Sequence, residues 1–255
     1  MTKPLTILHL SDLHFGRIDQ NVLTKLNSFI DQKHDLIDLF ILTGDLTQRA
    51  RSHEFRAAED FLKTLKKPLF MVPGNHDIPL YNLWYRLFSP YKKFLRFFQP
   101  YAQNFYENER VEIFGLWSTN SLTVSKGKIR RRDLEDMKTR FKEHGKGKIR
   151  IIASHHPLFS ETEPMSTQTR EEILKLRPHL ILSGHEHYAQ VRRFSQDSTL
   201  PISISSGTST STRLRNQANG FNLITIDKNE LKVQLYKFDS SKDEFVEGER
   251  FDTKL

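Results

Sequence analysis

Leu36-Ile37-Asp38-Leu39-Phe40-Ile41-Leu42-Thr43-Gly44-Asp45 decides how the chain is to be read. A nearly unbroken run of Leu, Ile and Phe stops at a glycine that is followed at once by a carboxylate. The same design recurs along the chain. Residues 5–10 are apolar and end at Ser11-Asp12-Leu13-His14, and residues 69–72 end at Pro73-Gly74-Asn75-His76-Asp77. Residues 149–153 run into Ser154-His155-His156-Pro157, and residues 180–182 stop at Ser183-Gly184-His185-Glu186-His187. Residues 111–117 form one further apolar run. Short continuous runs of this kind are what a sheet buried on both faces requires. Residues 22–30 and 55–65 carry apolar positions at helical spacing between the first runs. The N-terminal part therefore reads as alternating strands and helices. Residues 202–206, 221–226 and 231–238 read as further strands, the last two joined by a hairpin turn at Asp227-Lys228-Asn229-Glu230, so an antiparallel β half is expected to follow.

Length and composition narrow the class. With 255 residues, 37% of them hydrophobic, the chain has enough apolar material for a core and reads as a single domain over 1–255. It has no cysteine, which excludes a disulfide scaffold, a thiolate metal site and a cysteine nucleophile. No apolar run approaches the roughly 20 residues of a spanning helix. The first ten residues do not read as a signal peptide, and a cytoplasmic location is expected, with a peripheral position at the inner membrane surface as an option. The net charge is +8, but residues 80–150 hold 16 Lys/Arg against 7 Asp/Glu. An electrostatic partner, such as an anionic membrane surface, is expected to dock on that stretch.

The residues that follow the strands carry the chemistry. In open α/β sheets, sites form beyond the carboxyl ends of the strands, so these loops should meet in one cleft. They bring oxygen and imidazole donors and no sulfur, a set suited to metals such as Mn, Fe or Zn. Asp12 and His14, two apart on what reads as an extended segment, should point to one side, and His185 and His187 should repeat that geometry. A carboxylate can bridge two cations, and Asp45 is placed to do so. Asn75 adds a neutral carbonyl oxygen. Two cations about 3.5–4 Å apart would clamp a phosphoryl group for in-line attack by a bridging hydroxide.

Asp12-Leu13-His14, Gly44-Asp45, Gly74-Asn75-His76-Asp77, His155-His156-Pro157 and Gly184-His185-Glu186-His187, in that order, resemble the calcineurin-like metallophosphoesterase superfamily. Gly44-Asp45-Leu46-Thr47 and the paired histidines before Pro157 are similar to its bacterial branch of class III cyclic-nucleotide phosphodiesterases. The resemblance implies a four-layer α/β/β/α sandwich with two mixed β-sheets. It implies one divalent or trivalent metal ion held by Asp12, His14, Asp45 and His187, and a second held by Asp45, Asn75, His155 and His185. It also implies that His76 contacts the scissile phosphate and assists the leaving oxygen, with Asp77 orienting it. The activity implied is phosphodiester hydrolysis of a nucleotide-type substrate. A pyrophosphatase acting on a UDP-diacylglucosamine-like lipid is one alternative, and a membrane- or partner-binding module without turnover is another.

Other residues sit around this set. His156 is expected to support the site from behind, its ring oriented by a carboxylate or carbonyl. Arg213, after a run of hydroxyls, could grip a phosphate oxygen. Residues 80–106 hold 11 aromatics and four Arg/Lys with no acid, and read as two short amphipathic helices, the second opened by Pro90, in a cap-like insertion over about 78–109. Three readings stand for them: helices packed on the sandwich, a cap whose Trp84 and Tyr85 hold a base or acyl chain, or a surface that meets a membrane. The basic run Lys126–Arg132 precedes an expected helix over 133–144 but lacks aromatics, so nucleic acid is not the expected partner.

Overall fold

The structure is a computed structural model that describes residues 3–122, 126–143, 147–160, 164–193, 200–215 and 217–255, without the side chains of 142 and 143. Strand β1 (Leu5–Leu10) leads through helix α1 (Gln20–Lys33) to β2 (Leu39–Leu42), then through α2 (Ser52–Thr64) to β3 (Leu69–Met71). Helices α3 (Leu83–Phe88) and α4 (Lys92–Phe98) follow. Next come β4 (Phe105–Glu107), β5 (Val111–Leu116), α5 (Arg131–Glu143), β6 (Ile149–Ser154), α6 (Thr167–Leu174) and β7 (Leu180–Ser183). The chain ends in β8 (Gln190–Arg193), β9 (Ile202–Ser205), β10 (Gly220–Asp227), β11 (Glu230–Asp239) and β12 (Glu244–Lys254). The expected helix over 133–144 begins two residues early, and its last residue, His144, lies outside the described residues.

Two six-stranded sheets result, ordered β12-β11-β10-β1-β2-β3 and β4-β5-β6-β7-β9-β8. Both are mixed. In the first, β1, β2 and β3 are parallel and β10 to β12 are added antiparallel; in the second, β5, β6, β7 and β9 are parallel between antiparallel edges β4 and β8.

Alternation along the strands builds the layers, since successive side chains leave a strand on opposite faces. Ile113, Ile151, Leu180 and Leu182 join the core shared with the first sheet, α1 and α2. Their neighbours Phe114, Ile152 and Ile181 face the other way and pack on Leu134, Met137 and Phe141 of α5 and Ile173 of α6. Helix, sheet, sheet and helix thus stack as four layers, as expected for the α/β/β/α sandwich.

The expected antiparallel β half forms in β10, β11 and β12, but the run at 202–206 does not belong to it. Residues 202–205 run parallel to β7 inside the second sheet. The hairpin β10–β11, closed by Lys228-Asn229, extends the first sheet through β1, with Leu5 opposite Ile226. Among the described residues, β4, β8, β12 and α6 were not expected from sequence. β8 and β12 are half-exposed and rich in charge, so they lack the apolar run that marks a buried strand.

The two aromatic helices behave oppositely. In α4, Phe94 and Phe98 are fully buried, and the Phe98 ring lies 5.2 Å from that of Phe94 and 5.6 Å from that of Phe55 on α2. In α3 the first of the three readings, an aromatic face packed on the sandwich, does not hold, because Trp84, Tyr85, Leu87 and Phe88 are all exposed and Arg86 is the buried residue. The physical reason is the Arg86 guanidinium, which donates to the carbonyls of Pro79 (3.1 Å), Asn120 (3.3 Å) and Ser121 (2.8 Å) and turns the helix over. Pro90 does not open α4; the helix starts at Lys92, whose N–H donates to the Ser89 carbonyl, and Pro90 sits in the turn.

Phe98→Ala is expected to lower the unfolding free energy by about 3–5 kcal/mol. Phe88→Ala is expected to stay within about 0.5 kcal/mol of the parent. Paired urea melts read the difference, and equal effects would show that α3 is packed like α4.

Candidate metal centre

Five of the loops that leave strands converge at one end of the sandwich. Asp12 and His14 follow β1, Asp45 follows β2, Asn75 to Asp77 form a 3-10 turn after β3, His155 follows β6, and His185 and His187 follow β7. The extended geometry expected for Asp12 and His14 is not what forms. Asp12 (φ 53°), His14 (φ 51°), Asp45 (φ 55°), His185 (φ 71°) and His187 (φ 61°) all lie in the left-handed region. A non-glycine residue there costs on the order of 1–3 kcal/mol, so the surroundings must hold it. They do: the Asp12 N–H donates to the Gly44 carbonyl at 3.0 Å and the His14 N–H to the Asp45 carbonyl at 2.9 Å. The reversal at each residue sends side chains from one short loop toward the same point. Gly184 is needed for closeness rather than for φ. A Cβ there would stand 1.8 Å from the Ser11 hydroxyl and 2.6 Å from Asp12 Oδ2.

Two clusters of donor atoms share Asp45. On one side, His14 Nε2 lies 3.6 Å from Asp12 Oδ1 and 3.8 Å from Asp45 Oδ2, and His187 Nε2 lies 3.3 Å from Asp12 Oδ1. On the other, His155 Nε2 lies 3.4 Å from Asp45 Oδ2 and 3.0 Å from Asn75 Oδ1. His185 Nδ1 completes that side, 3.2 Å from Asn75 Oδ1 and 3.3 Å from His155 Nε2. The ring nitrogens that face away are anchored. His155 Nδ1 lies 2.7 Å from the Thr43 carbonyl and His187 Nδ1 2.9 Å from the Arg213 carbonyl. A carbonyl only accepts, so it puts the hydrogen on Nδ1, and in the neutral ring Nε2 turns its lone pair toward the cluster.

These atoms fit metal ions. Asp12 Oδ1 and both ring nitrogens of His14 are buried without a hydrogen-bond partner, an arrangement that costs free energy unless a cation answers it. Two groups, Asp12/His14/His187 and Asp12/Asp45/His155, each have ligand atoms within 4.8 Å of one another.

The electrostatics follow from burial and pairing. Burial pushes the Asp45 carboxyl up, but His155, His76 and His14 outweigh it and hold the group below the usual carboxylate range. Burial likewise raises Asp12, and His187, His14 and His155 bring it well below that range. His155 is the counterpart: burial pulls the imidazole down, yet Asp45 and Asp12 lift it to about 9. His187 is raised in the same way, with Asp12 overcoming burial. His185 is pushed down to about 4 by burial and by His155.

His76 sits at the rim. Its Nδ1 lies 2.7 Å from the Gln48 carbonyl, its Nε2 faces Arg213 Nη1 at 2.9 Å, and its N–H donates to Asp45 Oδ1 at 2.8 Å. Asp77 does not orient this ring as expected. Its carboxylate instead accepts from the backbone N–H groups of Leu46, Thr47 and Gly74, knitting the β2 and β3 loops together. Burial and Asp45 raise that carboxyl to about 6. His156 lies behind His185, ring centroids 4.4 Å apart, and Ser118 Oγ holds its Nδ1 at 2.9 Å where a carboxylate or carbonyl was expected.

A cavity of about 180 Å³ opens beside His76, lined by Gln48, Arg49, Asn75, His76, Ile78, Leu80, Tyr81 and Arg213. Arg213 is therefore brought to the site. Trp84 and Tyr85 are not among the lining residues; Trp84 instead meets Phe88 at a tilt, ring centroids 4.4 Å apart, and Tyr85 borders a separate hollow. Sequence reasoning missed Gln48, Arg49 and Tyr81. Arg49 and Gln48 stand directly after the Gly44-Asp45-Leu46-Thr47 motif, and that adjacency was the available signal.

Comparison with known proteins agrees with this geometry. The chain is 24% identical over 229 residues to a glycerophosphodiester phosphodiesterase GpdQ of Enterobacter lignolyticus, covering 78% of each chain. It is 25% identical over 248 residues to a probable cyclic nucleotide phosphodiesterase of Vesicomyosocius okutanii, covering 88% of this chain and 94% of that one. In fold it is similar to the purple acid phosphatase PPD1 of yellow lupin, with a TM-score of 0.65 at 13% identity, covering all of this chain and 54% of the lupin chain. The profile described as calcineurin-like phosphoesterase matches residues 5–189. The chain belongs to the calcineurin-like phosphoesterase family and is a metal-dependent phosphoric ester hydrolase.

Proposed function

We propose that the chain is a dinuclear phosphodiesterase, with Asp12, His14, Asp45 and His187 holding one metal ion and Asp45, Asn75, His155 and His185 the other. One observation carries the reading: Asp45 Oδ2 stands between His14 Nε2 and His155 Nε2, at 3.8 and 3.4 Å. The donor set suits Mn, Fe or Zn. Bound there, two cations supply Lewis acidity toward phosphoryl oxygens and a lowered pKa for water.

The chain's own residues do the rest. The Gln48 carbonyl fixes the His76 ring through Nδ1, so Nε2 is the atom that faces substrate. There it contacts the scissile phosphate; burial lowers this imidazole's pKa, so Nε2 first takes up a proton from solvent once the Arg213 donor has left it, and then passes that proton to the departing oxygen. Arg213 now spends a donor on that nitrogen, and a phosphoryl oxygen in the cavity would take the donor over and release the ring. Asp77, by tying Leu46, Thr47 and Gly74, keeps Asp45 and Asn75 in register. The cavity's two arginines and the Tyr81 ring suit a nucleotide-type phosphodiester, and the names of the relatives above support a phosphodiester. A second reading, a lipid-linked substrate met at the inner membrane surface, is favoured by the outward aromatic face of α3.

Asp45→Ala should reduce Mn²⁺-dependent turnover of bis-p-nitrophenyl phosphate by about 10²–10³-fold. His76→Ala should cost about 10²–10⁴-fold, with the loss in kcat. Full turnover by Asp45→Ala would overturn the mechanism, and preference for p-nitrophenyl phosphate over the diester would overturn the substrate class.

Metal uptake should depend on pH. His155 keeps its proton below about 9, so a metal must displace it. Affinity for Mn²⁺ should therefore rise with pH up to that value and then level. Near neutrality, binding should release at least the His155 proton, with His187, also raised, adding to it. Titration calorimetry in buffers of different ionisation enthalpy reads the release, and buffer-independent heats would contradict it.

A further inference from the structure

Helix α3 is turned against the usual rule for a short surface helix. Its one arginine is buried, 4% exposed, and its apolar residues face water: Leu83 is 68% exposed, Trp84 70% and Phe88 66%. Leu87, Tyr85 and the preceding Tyr81 extend the patch. This is a built orientation, since Arg86 spends donors on three carbonyls to hold it. A monomeric soluble surface rarely exposes so contiguous an apolar patch without a partner.

The charges around the patch say what kind of partner. Residues 80–106 contain no acid. Lys92 and Arg96, one turn apart on α4, share a hollow of about 300 Å³ with Tyr85, and the Lys92 ammonium lies 5.9 Å from the Tyr85 ring. Arg49 lies 6.0 Å from the Tyr81 ring on the side of the catalytic cavity. Aromatic rings amid uncompensated cations match the headgroup zone of an anionic bilayer, where rings sit at the interface and Lys/Arg meet the lipid charge.

We propose that α3 and the adjoining start of α4 form a docking face for an anionic lipid bilayer, seated with Leu83, Trp84, Leu87 and Phe88 in the headgroup layer. Lys92 and Arg96 contact the lipid phosphates. Tyr81 lines the catalytic cavity, so docking brings the mouth of that cavity to the membrane surface. The face is independent of the hydrolytic reading, because vesicle binding needs neither metal nor turnover.

The test is co-sedimentation with vesicles of phosphatidylcholine alone and with about 30% phosphatidylglycerol at low salt. The chain has two tryptophans, and Trp117 is buried, so emission changes report Trp84. Sedimentation with the anionic vesicles only, with a blue shift and quenching by brominated lipid, is expected. Leu83→Asp/Phe88→Asp should lower partitioning on the order of tenfold or more. Lys92→Ala and Arg96→Ala should each lower it about fivefold. Thermal melts confirm that each variant is folded. Absence of binding to anionic vesicles overturns the proposal. So does undiminished binding by the folded Leu83→Asp/Phe88→Asp variant, or self-association of the parent that this variant abolishes in the absence of vesicle binding.

Discussion

Two carboxylates out of contact with water govern the architecture. Asp12 and Asp45 lie at the floor of the cleft, buried among imidazoles, and each is worth burying only if positive charge comes close on more than one side. That demand explains the backbone. A ligand must reach its neighbour across a few ångströms from a loop of two or three residues, and a left-handed residue reverses the chain in the least space. The strain at five such positions is held by hydrogen bonds between the loops, such as Asp12 to Gly44 and His14 to Asp45. The sandwich behind the loops is what makes those bonds rigid.

The architecture was legible because its signals are local. Leu39–Leu42 before Gly44-Asp45 and Leu180–Ser183 before Gly184-His185 mark buried parallel strands by composition alone, and strand ends are where sites form. The side chains that meet in the cleft were legible for the same reason. What escaped depends on partners distant in sequence. β12 reads as a charged tail until β11 pairs with it. The positive φ of Asp12 and His14 has only a weak residue-type signature, since Asp and His tolerate that region better than most residues, and Asp77 beside His76 gives no hint that its bonds run to residues 46, 47 and 74.

Helix α3 shows the limit of periodicity as a guide. Tyr81, Trp84, Tyr85 and Phe88 keep the same spacing as Tyr91, Phe94, Leu95 and Phe98, yet one set faces water and the other the core. Hydrophobic spacing identifies a face and leaves open which way it points. Here the decision belongs to one guanidinium and the carbonyls of residues 79, 120 and 121, so two of the three contacts that set the orientation lie 34 and 35 residues away.

The pairing of β1 with β10 bears on the order of events when the chain is made. Leu5 has its partner at Ile226, and the His185 N–H donates to Asp12 Oδ2 across 173 residues. Strand β1 thus waits for a strand made much later before its sheet can close. Contacts this distant slow folding and leave intermediates with open strand edges. Until residues 185–187 have been made, Asp12 and His14 lack the neighbours that close their cluster, and a nascent chain of that length can hold no more than a fragment of the site.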